Sequence, residues 1–572
     1  MHLARIVCFL LVLFSNSIVY SSDETRFFID IQGLNYEVVL KENLQLSSKV
    51  SGFDMAPKGK HYVGVVAGEE NSWVRASNID DVWQGVVSIH NAMHMFEYTD
   101  STAEGIAKAA SSLDSTPMME VDGLAGTCGS GDGSHSMLDH VNKLAAMSGG
   151  IDGSSLAPAA ATFAQFCSQE VNGICVIAEV EIAFDIAFQN VFGAQAAAQA
   201  LSILNIVDGH YLNDLRISID AITVEMLAND LFDTSVAASP VLDAGVLLTN
   251  IETKKNNAEI PFITNNSALT HLVTGRDFDG GTLGVAYLGS VCQANGFSTG
   301  TSSIFFNNPT TPNIPLTAVV VAHELAHNLG SDHDGPGAND LCPSSTFIMS
   351  PVINPAFNLN DFSTCSATDI ESTLSNLVNP ELCLDFPADV VINEDPGNSG
   401  PLDTNLEFSS SYSVTLDNGF IAVDRVDLSG AINLAEGMFV SVSANGNNCA
   451  VAADGASYTC TVMSPPTLFN IVVVVRVTPF AANVTVTQSA NEQTADVQEV
   501  NALNNTKVSQ FSISGGNVTS SVTTPMPGGS PTSTNTNNVA EEEGGAGSLE
   551  FYILLMMTII YLIRQYSYFK HR

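Results

Sequence analysis

The sequence predicts a multidomain chain: a β-rich amino-terminal unit, a central α/β layer domain, a carboxy-terminal β-sandwich and a hydrophobic helix at the end. Three observations lead there. The 572 residues exceed one ordinary domain. The spacing of apolar residues changes character along the chain, from short alternating runs to interleaved strand and helix patterns and back to alternation. A stretch of small and polar residues then separates the last alternating segment from an apolar run.

The first 22 residues carry one early positive charge in MHLAR, the short apolar core IVCFLLVLF and the small, polar SNSIVYSS, the pattern of a cleaved export signal. Residues 23–165 alternate in segments such as HYVGVVAG and VWQGVVSIHNAMHMFE. They then pass through the glycine-rich GLAGTCGSGDGSHS, a β-rich unit ending in a linker. Within residues 166–387, VIAEVEIAFD suits a buried strand, and the alanine- and leucine-rich stretch after it suits helix. LRISIDAITVEM alternates again, so strands and helices interleave as in an α/β layer structure. Residues 388–515 lose the helical patterns and show MFVSVSANG, NIVVVVRVTPF and ANVTVTQSA between Asn, Gly, Asp and Pro clusters, as an Ig-like β-sandwich does. Residues 516–548 are a Ser/Thr/Pro/Gly-rich linker with too little apolar content for a core. Residues 549–572 contain FYILLMMTIIYLI followed by Arg564, Lys570 and Arg572, a hydrophobic segment with a basic end. Its 13 uninterrupted apolar residues fall short of the ~20 of a normal spanning helix, so either a transient or a lasting membrane association is open.

Charge excludes one class of partner. Acidic residues outnumber basic ones 60 to 19, a net charge of -41, and such a surface repels phosphate backbones. Nucleic acid is therefore not an expected partner, and nothing in the sequence calls for more than a monomer. Export implies an oxidising compartment. Of ten cysteines Cys8 leaves with the signal, so nine remain and one has no mate.

The stretch Val321 to Gly335, VAHELAHNLGSDHDG, carries the chemistry. His323 and His327 are four apart, so on a helix they share a face one turn apart. Glu324 can reach the same face and take a proton from water. Gly330 can adopt a left-handed backbone and stop the helix, letting His333 return as a third ligand. Three imidazoles with a fourth position left open are what a catalytic zinc requires.

With these residues in place the chain resembles the metzincins, and Asp334 directly after the third histidine points to the adamalysin (reprolysin, ADAM-like) branch. The resemblance covers about Cys175 to Asp385, and SWVRASNIDDVWQGVVSIH extends it weakly into the region where that family keeps its propeptide, here 23–165. It implies a zinc endopeptidase acting on proteins and peptides, with a mixed twisted sheet, long helices, an active-site helix and a methionine turn. Met349 in FIMSP would supply that turn, and Thr282 to Gly289 would be the edge strand that pairs with an extended substrate. The pocket beside the metal would be shaped around Ser350 to Phe357. Family disulfides carry over as Cys292 with Cys383 and Cys342 with Cys365. Cys167 with Cys175 and Cys449 with Cys460 are local pairings expected from proximity. Cys128 is then left over, and the family's habit of blocking zinc with one propeptide thiolate makes it a candidate cysteine switch. The family's calcium site is incomplete: Glu179 fits one ligand position, but Ala268 and Phe386 stand where Asp and Asn are expected. The ending GGAGSLEFYILLMMTIIYLIRQYSYFKHR resembles the Gly-Gly type sorting signals of Gram-negative bacteria, with a permanent anchor as the alternative. The rival reading of the whole is an adhesion protein in which the sandwich carries the function and the protease domain is a scaffold.

Overall fold

The computed structural model describes residues 24–521 except 32, 48–49, 52–58, 91, 100–115, 118–125, 128–162, 234–241, 264–266, 294–295, 309–310, 337–338, 354–358, 360 and 396–399. The export signal, Cys128 and the carboxy-terminal hydrophobic segment lie outside the described residues.

The amino-terminal unit is an antiparallel meander in the order Glu24–Ile31, Leu34–Glu42, Lys60–Val66, Trp73–Ile79, Val82–Ile89, Ala92–Thr99 and Thr116–Pro117. Alternation buries one side of its outer strands, where Ile29, Val38, Leu40, Val74 and Trp83 form a small core. One short strand leaves this sheet: Val50–Ser51 pairs in parallel with Val224–Glu225 and so extends the central sheet.

In the central sheet Ile217–Met226, Val176–Phe184, Leu269–Thr274 and Thr299–Ser303 run parallel, and Gly284–Ala286 closes the edge antiparallel. The strand Val176–Phe184 is apolar almost throughout because helices and the neighbouring unit cover both its faces. Parallel neighbours need long crossovers, which supply the helices Ala196–Leu215 and Ala244–Asn256.

Helix Ala196–Leu215 is buried at sixteen of its twenty residues. By composition it could cross a membrane. It instead lies between two protein layers, which explains an apolar surface without a clear polar side. The amino-terminal sheet covers it through polar contacts: Ser77 Oγ donates to Ser202 Oγ (3.0 Å), and Asn205 Nδ2 donates to the carbonyls of Tyr62 (3.0 Å) and Ala76 (3.3 Å). Arg75, beneath Trp73, pairs with Asp208 at 3.2 Å.

Strand Leu384–Glu394 ties the last two domains together. Its start pairs with Ile177 and Ala178, and its remainder pairs with Glu407–Asn418 inside the sandwich. The sandwich's two sheets enclose a separate core that includes Tyr412, Val426, Tyr458, Val473, Val486 and Phe511. Strand Asn517–Ser521 is hydrogen-bonded to Gln510–Ser514, so the sandwich runs six residues into the stretch assigned from sequence to the linker. That stretch begins as an ordinary β-strand because Val518, only 2% exposed, fills the core edge. The structure joins Cys167 to Cys175, Cys292 to Cys383, Cys342 to Cys365 and Cys449 to Cys460.

Candidate metal centre

The centre starts at one helix. Asn313 caps it, its side chain accepting from Leu316 N at 2.9 Å, with Pro315 in the first turn, where a missing N–H costs nothing. The helix runs Ile314–Asn328 and is buried on nearly every side, so the pitch alone brings His323 and His327 to one face. It stops because Gly330 takes φ +108°, and a side chain there would also strike Thr373. Ser331 N then donates to Ala326 O (2.9 Å), and the chain doubles back to bring up His333.

The three imidazoles converge: His333 Nε2 lies 3.1 Å from both His327 Nε2 and His323 Nε2. His323 Nδ1 sits 2.7 Å from the carbonyl of Ile348, and His327 Nδ1 2.7 Å from that of Ser331. A carbonyl only accepts, so both Nδ1 atoms carry the proton and both Nε2 atoms present lone pairs. A tetrahedral zinc would hold its nitrogens roughly 3.3 Å apart, close to these separations. Burial, aided by the neighbouring rings, pushes His323 well below the ordinary imidazole range and His327 to about 3; burial alone lowers His333 to about 4. All three are therefore neutral at pH 7, the form that binds metal. His323, His327 and His333 form a group that could hold a metal ion.

Met349 is fully buried, and the segment around it holds the histidines by its main chain. Ile348 O takes His323, Met349 O accepts from Asp334 N (2.9 Å), and Ile348 N donates to Asp361 O (3.0 Å). Asp334 accepts from Ser363 Oγ at 2.5 Å and Ser366 Oγ at 3.3 Å, which ties the third histidine to the start of helix Thr364–Ser375.

Glu324 is fully buried, with its side chain against Gly284 of the edge strand. The strand Gly284–Ala286 is shorter than the Thr282 to Gly289 span expected from sequence. Its register with Thr299–Ser303 decides what it offers. Ser303 N donates to Leu283 O and Tyr287 N to Thr299 O, so residues 283, 285 and 287 face inward, and the backbone groups of Gly284 and Ala286 face away from the sheet.

Asn328 locks that strand to the helix. Its Nδ2 lies 2.8 Å from Tyr287 O, 2.9 Å from Thr299 O and 3.1 Å from Ser290 Oγ, while Gly289 N donates to His327 O and Val291 N to Asn328 O. Sequence reasoning passed over Asn328, Gly284 and the carbonyls of Ile348 and Ser331. Only Asn328 left a trace, as one more polar residue at the end of a mostly apolar helix. Ala268 and Phe386, which stand where the calcium site of the family was expected, are buried in the apolar core.

The amino-terminal unit also reaches this region. Gly126–Thr127 pairs antiparallel with Val352–Ile353, three residues past Met349, and the next residue is Cys128.

Residues 176–363 match the family Reprolysin_5, described as Metallo-peptidase family M12. The central domain resembles the M12 metallopeptidases. Zinc metalloproteinase-disintegrin-like brevilysin H2a of Gloydius brevicauda is 32% identical over 189 residues, 32% of this chain and 42% of that protein. The kaouthiagin-like zinc metalloproteinase-disintegrin-like protein of Naja atra is 30% identical over 192 residues, 31% of this chain and 29% of that protein. The chain thus spans less than half the length of these curated relatives. A solved structure, metalloproteinase-II from Bacteroides fragilis, aligns over 64% of this chain and 94% of its own at TM-score 0.33 and 12% identity, too slight a likeness to support an argument. The matched segment, 176–363, contains His323, Glu324, His327 and His333.

Proposed function

We propose that this chain is a zinc-dependent endopeptidase, exported and made as a latent precursor, that cleaves extracellular proteins. One observation carries the reading: His333 Nε2 lies 3.1 Å from both His327 Nε2 and His323 Nε2, with two of the three rings oriented by backbone carbonyls. Zinc would be held by His323, His327 and His333, and when bound it supplies Lewis acidity that polarises the scissile carbonyl and acidifies water. Glu324 takes the proton from the attacking water and returns it to the leaving amine nitrogen. The outward backbone groups of Gly284 and Ala286 align an extended peptide by strand addition, which makes recognition tolerant of sequence. Met349 is the apolar floor beneath the rings.

Latency is supported by the strand Gly126–Thr127 lying along Val352–Ile353, with Cys128 the next residue in the sequence. A Cys128 thiolate is a good zinc ligand. The hydrophobic segment at 549–572 serves surface display, either as a sorting signal that is removed or as an anchor.

The test is casein digestion by the matured chain with and without a chelator, together with Glu324→Ala. Cleavage should stop in both cases, while Glu324→Ala keeps one zinc per chain. Activity persisting in Glu324→Ala with metal bound refutes the assignment of the base. Cys128→Ser should give activity without removal of the amino-terminal unit, and an unchanged latent precursor counts against the switch.

A further inference from the structure

We infer that Gly284 is a positioning residue, whose missing side chain provides the space that holds the Glu324 side chain in place. This rests on the proposed role of Glu324 as the base.

Gly284 is not there for its backbone. It pairs with Ser302 as an ordinary strand residue, and its φ lies outside the left-handed region that favours glycine. Nor is the position open. A Cβ there would fall 2.5 Å from Glu324 Oε1, 2.6 Å from Cγ and 2.7 Å from Cδ. Three atoms of one side chain fill the volume that any other residue at 284 would claim, and the contact reaches the stem as well as the carboxylate tip.

Neither partner can easily yield. Glu324 is completely buried in the middle of a helix whose neighbours are equally buried. The edge strand is held to the end of the same helix by Asn328 Nδ2 on Tyr287 O and by Gly289 N on His327 O, both at 2.8 Å. The gap between strand and helix is therefore fixed from outside the contact, and a methyl group must displace the Glu324 side chain. The same residue faces its main-chain groups outward, so one glycine places the peptide and the base against each other.

A double-mutant cycle on the full chain tests this without any turnover. Gly284→Ala should lower Tm in the parent chain but cost nothing in a Glu324→Ala background, because that substitution deletes all three clashing atoms. Equal losses in both backgrounds overturn the inference. In the matured enzyme Gly284→Ala should keep its zinc and its KM, while kcat falls by about 100-fold, the range for a misplaced general base. A rise in KM with kcat unchanged means that the strand moved instead, and overturns it too. If the parent chain cleaves nothing, the proposed function fails, and the Tm cycle still decides the contact.

Discussion

The Asn328 amide donates to the carbonyl of Tyr287 at 2.8 Å, and this bond makes the histidine helix and the edge strand one rigid piece. Asn328→Ala removes the amide from Tyr287 O and Thr299 O, which keep Ser290 Oγ and Tyr287 N as their remaining partners. The two amide N–H donors are worth about 0.5–1.5 kcal/mol each, so the variant should lose about 1–3 kcal/mol in urea unfolding. Its KM for peptide should rise more than its kcat falls, because the strand that aligns the substrate is no longer fixed.

Arg75 and Asp208 form a second clamp, between the amino-terminal sheet and helix Ala196–Leu215, with side-chain exposures of 7% and 19%. The partners are not equivalent. Asp208 keeps Ser218 Oγ and Ile219 N when Arg75 is removed, whereas loss of Asp208 leaves a guanidinium buried without its counter-charge. Asp208→Ala should therefore cost about 3 kcal/mol and clearly more than Arg75→Met, as denaturant melts of the two full chains would show.

Asp214 supplies a pH test. Burial, with the charge of Asp361 second, pushes its carboxyl up to about 7. A raised carboxyl favours the folded state while protonated, so its contribution is present below the unfolded value near 4 and disappears as pH rises through about 7. Asp214→Asn mimics the protonated form and can still accept from Phe362 N, which now sits 2.7 Å from the carboxylate. Thermal melts should show the variant more stable than the parent at pH 8, by on the order of 1 kcal/mol, and equal to it near pH 4. A constant difference across that range would refute the raised pKa.

Loop length ranks the disulfides. Cys292–Cys383 spans 91 residues and Cys449–Cys460 spans 11. Chain entropy assigns about 4–5 kcal/mol to the first and about 3 kcal/mol to the second. Replacing both cysteines of the longer bridge with serine should lower Tm more than the same change in the sandwich hairpin.

Much of the centre was legible before any coordinates, because helix pitch is a local property: HELAH places His323 and His327 together wherever that helix lies. Gly330 signalled the stop for the same reason, and alternation marked the sandwich strands. Long-range choices were not legible. The six residues by which the sandwich passes 515 look like linker until Val518 is seen in the core. The helix Ala196–Leu215 was legible as a helix, but not that the amino-terminal sheet covers it. The single strand Val50–Ser51 that crosses to the central sheet has no sequence mark at all.

By itself the sequence determined which atoms could meet a metal and how far apart along the chain they stand, since residue type and helical spacing are written locally. Tertiary structure alone decided how those atoms are aimed. The carbonyls of Ile348 and Ser331 set the histidine tautomers, and the register of Gly284–Ala286 sets which backbone groups face a substrate. The volume shared by Gly284 and Glu324 belongs to the same class. The physical reason is that a main-chain carbonyl is the same at every residue and an empty Cβ position the same at every glycine, and each acquires a role only when packing brings a distant segment against it.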